Sequence, residues 1–137
     1  MYLPRGAEFN LFKYILYMNQ VLLDQLRQKL LTELEEITSI LKERADKDAA
    51  ISGNYIAKAN DPGNETEDEV ARFEALDQNN DVVQQMELRL KAVSDALKRL
   101  SGTAFGLCAG CGKEIIEARL LANPAATHCI HCLNTAE

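Results

Sequence analysis

Residues 108–132 read CAGCGKEIIEARLLANPAATHCIHC and contain all four cysteines of this chain of 137 residues. The cysteines form two Cys-x-x-Cys pairs. A pair with this spacing on a turn presents two thiolates on one side of the backbone, and two facing pairs give the closed tetrahedral sulfur set that Zn²⁺ prefers. The spacing therefore predicts one structural zinc ion, held by Cys108, Cys111, Cys129 and Cys132.

Other interpretations of the cysteines stay open at this stage. Two disulfides would suit a secreted protein, but nothing in this sequence is typical of secretion, and such a quartet then favours metal. A catalytic zinc needs an open coordination position, which four thiolates do not leave. His128 and His131 flank the second pair and could each replace a cysteine. Because the cysteine set is already complete, we expect neither histidine to be a ligand.

Cys108 and Cys111 could also form the redox pair of a thiol oxidoreductase. That activity calls for a helix beginning at the first cysteine and for a lowered thiol pKa. Gly110 and Gly112 favour a metal-binding knuckle instead, because they supply backbone freedom, and no β-α-β pattern surrounds the pair. The sequence shows no Ser/His/Asp set and no glycine-rich phosphate loop. We therefore expect that the chain is not an enzyme.

Two segments without glycine or proline, residues 19–50 and 66–100, carry apolar residues at steps of three and four. This period is typical of amphipathic helices, each ~45 Å long at 1.5 Å per residue. Neither helix can bury its apolar stripe alone, so we predict that they pair as an antiparallel coiled coil. The predicted seam consists of Leu23, Leu26, Leu30, Leu34, Ile37 and Leu41 on the first helix, and Val83, Met86, Leu90, Val93, Leu97 and Leu100 on the second.

Asn79 and Asn80 interrupt this seam above Val83. A polar residue in a coiled-coil seam lowers stability and fixes the register of the two helices or loosens the outer part of the hairpin. The predicted fold is all-α dominated: an antiparallel coiled-coil hairpin followed by a small C-terminal zinc-finger module with four cysteine ligands.

The reversal between the helices is predicted around Asp61-Pro62-Gly63-Asn64, because proline and glycine together end a helix. Thr66 and Glu69 fit a capping box that opens the second helix. Residues 61–69 form a strongly acidic tip. Its carboxylates either complement the dipole of a helix N-terminus or have a function, and Asp61, which precedes the helix, is explained less well by the dipole.

These features predict three regions. Residues 1–17 are a non-native or disordered segment, since Leu3-Pro4-Arg5-Gly6 is similar to a protease-site remnant and Met18 would be a natural start. Residues 18–104 form the hairpin, and residues 105–137 form the zinc finger. The apolar run near the N-terminus is too short and too polar to span a bilayer, and no signal-peptide cleavage site follows it. We therefore expect a cytoplasmic protein without a membrane partner.

The net charge of the chain argues against electrostatic binding to nucleic acid. The net charge is −6, whereas DNA binding needs clustered Lys and Arg to displace counterions. From Phe105 onward the only basic residues are Lys113 and Arg119. We therefore predict no direct sequence-specific DNA binding, and we expect a monomer.

The combination resembles the DksA/TraR family of bacterial transcription regulators. The residues that carry the resemblance are the two cysteine pairs, the lead-in Phe105-Gly106-Leu107, and Ile115, Arg119 and Pro124 between the pairs. The resemblance implies that the coiled coil enters the secondary channel of bacterial RNA polymerase and that the acidic tip approaches the catalytic centre, while zinc is purely structural.

The family's tip pattern, Asp-Pro-x-Asp-x-Ala, is matched here only in part. Asp61 and Pro62 agree, whereas Asn64 stands for the second aspartate and Thr66 for the alanine. The resemblance thus implies a partner-binding tip formed by Asp61, Asn64 and Thr66. The alternative is a zinc-clipped coiled-coil interaction module without polymerase activity.

Members that respond to the alarmone ppGpp have basic residues where this chain has Asn123 and Leu133. A ligand with several phosphates needs Lys or Arg to compensate its charge. We therefore expect weak ppGpp dependence or none.

Overall fold

The computed structural model describes residues 20–48, 50, 54–58, 69–102 and 104–135. These residues form, in chain order, helix α1 (Gln20–Arg44), strand β1 (Ala45–Lys47), strand β2 (Tyr55–Ala57), helix α2 (Glu69–Leu100), helix α3 (Glu117–Ala122) and helix α4 (Ile130–Asn134). The sequence predictions for residues 1–17 and for Asp61, Asn64 and Thr66 lie outside the described residues. No helix in these ranges combines the length and the apolar character that a membrane span requires.

The predicted fold class is confirmed: helices α1 and α2 form the hairpin, and a module with four clustered cysteines follows it. Apart from Ala96, the buried apolar positions of the two helices are predicted seam residues. The other predicted seam residues are only half-buried: Leu23, Leu34, Met86, Leu90 and Leu97. Each leucine removed fully from water contributes about 1.5–3 kcal/mol, so the buried residues of the seam are the main source of the hairpin's stability. The side chains excluded from solvent are Leu26, Leu30, Ile37 and Leu41 on α1, and Val83, Val93, Ala96 and Leu100 on α2.

The chain divides into two compact units. One consists of Met1–Glu33 together with Val93–Glu137, and the other consists of Leu34–Ala92. The first part of α1, the last part of α2 and the cysteine module therefore belong to one unit. The second part of α1, both strands and the first part of α2 belong to the other. The predicted boundaries of the hairpin and of the zinc finger, residues 18–104 and 105–137, stay predictions.

The first helix ends earlier than predicted. Instead of continuing to residue 50, it ends at Arg44, and the next three residues form strand β1. This strand pairs antiparallel with β2, with Ala45 opposite Ala57 and Lys47 opposite Tyr55. We name the two strands together the β element. The helix was predicted to continue because residues 45–50 contain no glycine or proline, and their composition is compatible with a helix.

The end of α1 is fixed by Lys58, which follows β2. The last carbonyl groups of a helix have no partner within the helix. Here the backbone N–H of Lys58 donates to the carbonyl of Arg44 at 2.8 Å, and its Nζ donates to the carbonyl of Lys42 at 3.1 Å. A positive charge at this end also complements the helix dipole. The strand pairing thus supplies the hydrogen bonds that a further helical turn would have supplied.

Asn79 connects α2 to this junction. Its Nδ2 donates to the carbonyl of Arg44 at 3.1 Å and to the carbonyl of Lys58 at 3.0 Å, while Arg44 Nη1 donates to its Oδ1 at 3.5 Å. The residue is only 7% exposed, and it is the one buried polar side chain in the described part of the chain. A polar residue therefore does interrupt the seam, as predicted. Its hydrogen bonds join α2 to the end of α1 and to the residue that follows β2.

Candidate metal centre

The first cysteine pair lies on a tight hairpin. The backbone N–H of Cys108 donates to the carbonyl of Lys113 at 2.8 Å, and that of Gly112 donates to the carbonyl of Cys108 at 2.9 Å. Leu107 and Glu114 form an isolated antiparallel bridge just outside this turn. These bonds hold residues 108 to 113 in a closed knuckle, so both thiols of the pair emerge from the same turn.

Gly112 and Gly110 serve the knuckle in different ways. Gly112 has a φ of +68°, a conformation that residues with a Cβ rarely adopt. Gly110 has an ordinary φ, but a Cβ at its position would lie 3.2 Å from the Sγ of Cys132 and 3.4 Å from Cδ2 of His128. The second knuckle therefore approaches the backbone of the first too closely for a side chain at residue 110.

The second cysteine pair lies at the start of helix α4. Cys129 is the N-cap residue, and its Sγ accepts a hydrogen bond from the backbone N–H of Cys132 at 3.4 Å. Two further bonds join this knuckle to the first. The N–H of Cys129 donates to the Sγ of Cys108 at 3.3 Å, and the N–H of Ala109 donates to the carbonyl of Thr127 at 2.8 Å.

The four sulfur atoms that these knuckles bring together all lie within 4.8 Å of one another. Four sulfurs placed tetrahedrally at Zn–S bonds of about 2.3 Å would be ~3.8 Å apart. The Sγ atoms of Cys111 and Cys129 are 3.8 Å apart. Both the donor atoms and their spacing therefore fit a Zn²⁺ ion, which Cys108, Cys111, Cys129 and Cys132 would hold.

The same geometry argues against the alternatives that the sequence left open. All four cysteines are free, and a separation of 3.8 Å is far longer than the ~2.05 Å of a disulfide bond. The first cysteine does not begin a helix, as the pair of a thiol oxidoreductase would require, since residues 108–113 form a turn. With four sulfur donors, a bound zinc ion would have no open position for a substrate or an activated water.

Local hydrogen bonds give the thiols of Cys108 and Cys132 very different pKa values. The pKa of Cys108 is lowered to about 5, mainly by the hydrogen bond from the backbone N–H of Cys129 and further by those from Cys111 and Gly110, while burial acts in the opposite direction. A lowered pKa is one of the two features of a thiol oxidoreductase, but the other, a helix that begins at the first cysteine, is not met here. Hydrogen bonding to the sulfurs of Cys111, Cys129 and Cys108 raises the pKa of Cys132 to about 12. Four thiolates this close repel one another, so full ionisation requires a cation among them.

The two histidines are not part of the cluster of ligand atoms. His128 Nδ1 lies 2.8 Å from the hydroxyl oxygen of Thr127, and the His128 carbonyl accepts a hydrogen bond from Arg119 Nε at 2.8 Å. His131 lies on the exposed side of α4. Their positions agree with the expectation that neither replaces a cysteine.

The segment between the cysteine pairs forms the core of the module. Ile115 and Leu120 are buried, as is Pro124, and Arg119 reaches back to the carbonyl just before Cys129. The inter-pair residues that carry the family resemblance therefore have a structural role here. They hold the second knuckle at the distance from the first that four-sulfur coordination needs.

Two cations join the module to the hairpin within the same unit. Lys29 Nζ on α1 donates to the carbonyl of Leu121 at 2.9 Å. Arg99 Nη2 on α2 donates to the carbonyl of Ala125 at 3.4 Å. The Leu121 carbonyl lies in the last turn of α3, where the helix dipole is negative, whereas the Ala125 carbonyl lies beyond the end of the helix. The sequence analysis did not identify these two residues, because each helix carries several basic residues and nothing in the sequence distinguishes Lys29 or Arg99 from the others.

The predicted tip residues Asp61, Asn64 and Thr66 lie outside the described part of the chain, and their role stays a prediction. Sequence reasoning also missed the β element. The run Ser52-Gly53-Asn54 before Tyr55 and Ile56 is a turn signal followed by strand-favouring residues, and it could have indicated a hairpin.

Both the cysteine module and the fold are similar to those of known proteins. Residues 104–137 match the family described as the prokaryotic dksA/traR C4-type zinc finger. The solved structure of transcription factor DksA2 from Pseudomonas aeruginosa has the same fold, with a TM-score of 0.63 and 23% identity over 87% of this chain and 85% of that one. The family resemblance predicted from the sequence is thereby confirmed.

One relative shares sequence along most of the chain. An uncharacterized protein of Aquifex aeolicus (strain VF5) is 28% identical over 121 residues, which cover 88% of this chain and 79% of that protein. This similarity extends beyond the zinc finger into the hairpin.

Proposed function

We propose that this chain is a transcription regulator of the DksA type, which binds bacterial RNA polymerase through the secondary channel of the enzyme. The observation that carries the proposal is the fold match to transcription factor DksA2, which extends over hairpin and module together.

In this proposal the helical hairpin provides the binding surface and the tip acts near the catalytic centre of the polymerase. Asp61, Asn64 and Thr66 are the proposed partner-binding residues of the tip. The negative net charge favours binding to a protein over direct binding to DNA. We propose further that the protein acts as a cytoplasmic monomer with weak or no ppGpp dependence.

Zinc has a structural role in this proposal. The ion, when bound, supplies a positive centre that allows all four thiols to ionise and joins the two knuckles. Hydrogen bonds from the chain itself stabilise the module further: Arg119 donates to the carbonyl of His128, and Lys29 and Arg99 join the module to the two helices. We propose no catalytic role for any of them.

The experiment that tests the proposal is direct binding to purified bacterial core RNA polymerase, followed by the lifetime of initiation complexes. The zinc-loaded protein should bind the core enzyme, and a known secondary-channel factor should displace it. Binding that such a factor leaves unchanged would contradict the secondary-channel assignment. Absence of binding would favour the alternative, a zinc-clipped coiled-coil module that interacts with another protein.

A further inference from the structure

The carbonyl groups that Asn79 binds belong to the two ends of the β element. Arg44 is the last residue before β1, and Lys58 is the first residue after β2. One amide group, Nδ2 of Asn79, donates to both carbonyls, at 3.1 Å and 3.0 Å. Because the side chain is 7% exposed, water has little access to replace these bonds. The base of the β element is therefore held at one position along α2.

A second contact orients the β element on the same helix. The bond from the Lys58 N–H to the Arg44 carbonyl and the bond from the Asp48 N–H to the Asn54 carbonyl mark the hydrogen-bonded pairs of the ladder. The N–H of Tyr55 consequently points away from β1. It donates to Glu87 Oε1 at 2.5 Å. Asn79 and Glu87 are eight residues, or ~12 Å, apart on α2, so two separate points fix the orientation.

We propose that Asn79 is a positioning residue: it sets the place on α2 from which the chain leaves the β element toward residue 61. This inference rests on the proposed function, because the residues after Lys58 include Asp61 of the proposed tip. The chain enters that stretch from Lys58, whose carbonyl Asn79 holds, and leaves it at the start of α2. Asn79 thus fixes, relative to α2, the point at which the chain leaves Lys58 toward residue 61.

The position of Asn79 in the seam gives this proposal a sharp test. Asn79 lies four residues before the buried Val83, so leucine at this position would continue the apolar stripe of α2. A buried asparagine in such a seam lowers stability and fixes register, and leucine has the opposite effects. Apolar burial of leucine should therefore offset the cost of the two lost hydrogen bonds, so that Asn79→Leu changes positioning far more than global stability.

The experiment compares wild type, Asn79→Leu and Asn80→Leu as zinc-loaded full-length proteins. Asn80 is adjacent and exposed, so its variant controls for the added leucine. Four quantities are measured: thermal unfolding by circular dichroism, hydrogen exchange of the backbone amides, affinity for core polymerase, and the effect on initiation-complex lifetime. A second variant, Asn79→Asp, keeps the shape of the side chain and removes its N–H donors.

We expect Asn79→Leu to unfold within a few degrees of the wild-type temperature and to bind polymerase with unchanged affinity. The amide of Lys58 and those of β1 and β2 should exchange faster, and the effect on initiation complexes should fall roughly tenfold, the scale expected from two lost buried hydrogen bonds. Asn79→Asp should show the same faster exchange. Asn80→Leu should match wild type in exchange and activity.

Two results would overturn the proposal. One is wild-type exchange of the β element in both Asn79 variants, and the other is faster exchange with an undiminished effect on initiation complexes. If wild type itself has no effect on polymerase, the proposed function fails instead. Hydrogen exchange then still decides whether Asn79 fixes the β element, because that measurement needs no polymerase.

Discussion

Gly110 and Gly112 stand on either side of Cys111, and the sequence predicts the same role, backbone freedom, for both. The structure separates their roles. Gly112 needs its positive φ, whereas Gly110 needs its missing side chain, because the Sγ of Cys132 would lie 3.2 Å from a Cβ there. A metal ligand has little freedom to move away, since its position is fixed by the other three sulfurs.

Replacement of Gly110 by alanine should therefore weaken zinc binding. We expect Gly110→Ala to lower the affinity about tenfold or more, comparable to the loss of a group that orients a metal ligand. Gly102→Ala is the control, since a Cβ there would make only an ordinary contact at 3.5 Å from the carbonyl of Arg99. Competition with a chromophoric chelator measures both affinities. Equal values for the two variants would contradict the close-approach argument.

The thiol of Cys132 predicts the pH dependence of zinc binding. In the metal-free protein its pKa is raised to about 12, so at neutral pH it carries a proton that zinc must displace. The pKa of Cys108 is lowered to about 5, so this thiol is already ionised there. Affinity should rise with pH, by about tenfold per unit from the Cys132 proton alone.

Chelator competition at several pH values around neutrality tests this slope. Cys132→Ser removes the displaced proton, so its affinity should be lower at every pH and its slope should be smaller by about one decade per pH unit. An affinity of the wild-type protein that does not change with pH would contradict protonation of Cys132 in the metal-free state.

At the scale of the elements, the hairpin helices were predictable because their stability comes from burial along a periodic stripe. Leu26, Leu30 and Leu41 are fully excluded from solvent, as the spacing indicated. Replacement of one such residue by aspartate would bury a charge without a partner, at a cost of several kcal/mol. The same substitution at an exposed position should cost little.

Leu41→Asp and Leu88→Asp make this comparison with identical chemistry. Leu41 is fully buried on α1, whereas Leu88 is 72% exposed on α2. We expect Leu41→Asp to lower the unfolding temperature sharply and Leu88→Asp to change it little, as circular dichroism would show. Leu41 and the cysteines belong to different units, so the zinc content of both variants should remain near wild type. Equal unfolding temperatures would contradict the assignment of Leu41 to the buried seam.

The β element could not be predicted from helical periodicity, because its identity depends on contacts far apart in sequence. Residues 45–47 have no strong local preference for a strand. Pairing with Tyr55–Ala57, together with the bonds from Lys58 and Asn79 to the end of α1, decides their conformation. The cysteine site was predictable for the opposite reason. Its ligands are chemically distinctive, and their spacing restricts the local turn before any tertiary contact forms.

At the scale of the whole molecule, the proposed function assigns affinity to the helical hairpin and activity to the tip. In the sequence Asp61 precedes Pro62, and asparagine in its place keeps the shape of the side chain while it removes one charge. We expect Asp61→Asn to leave polymerase affinity within about twofold of wild type, since one exposed charge contributes little to binding.

The same variant should abolish the effect on initiation-complex lifetime, because the proposed action at the catalytic centre needs a charged carboxylate oxygen, which asparagine lacks. Asn64→Asp makes the reverse change and restores the second acidic residue of the family pattern, so it should strengthen the effect. The two variants alter charge by one unit in opposite directions within four residues, and each therefore controls for the other.

Lifetimes measured on one promoter with core enzyme and a single sigma factor give the comparison. If wild type and both variants have equal lifetimes while all three bind polymerase, the tip carboxylates have no part in the activity, and the hairpin acts by occupying the channel alone.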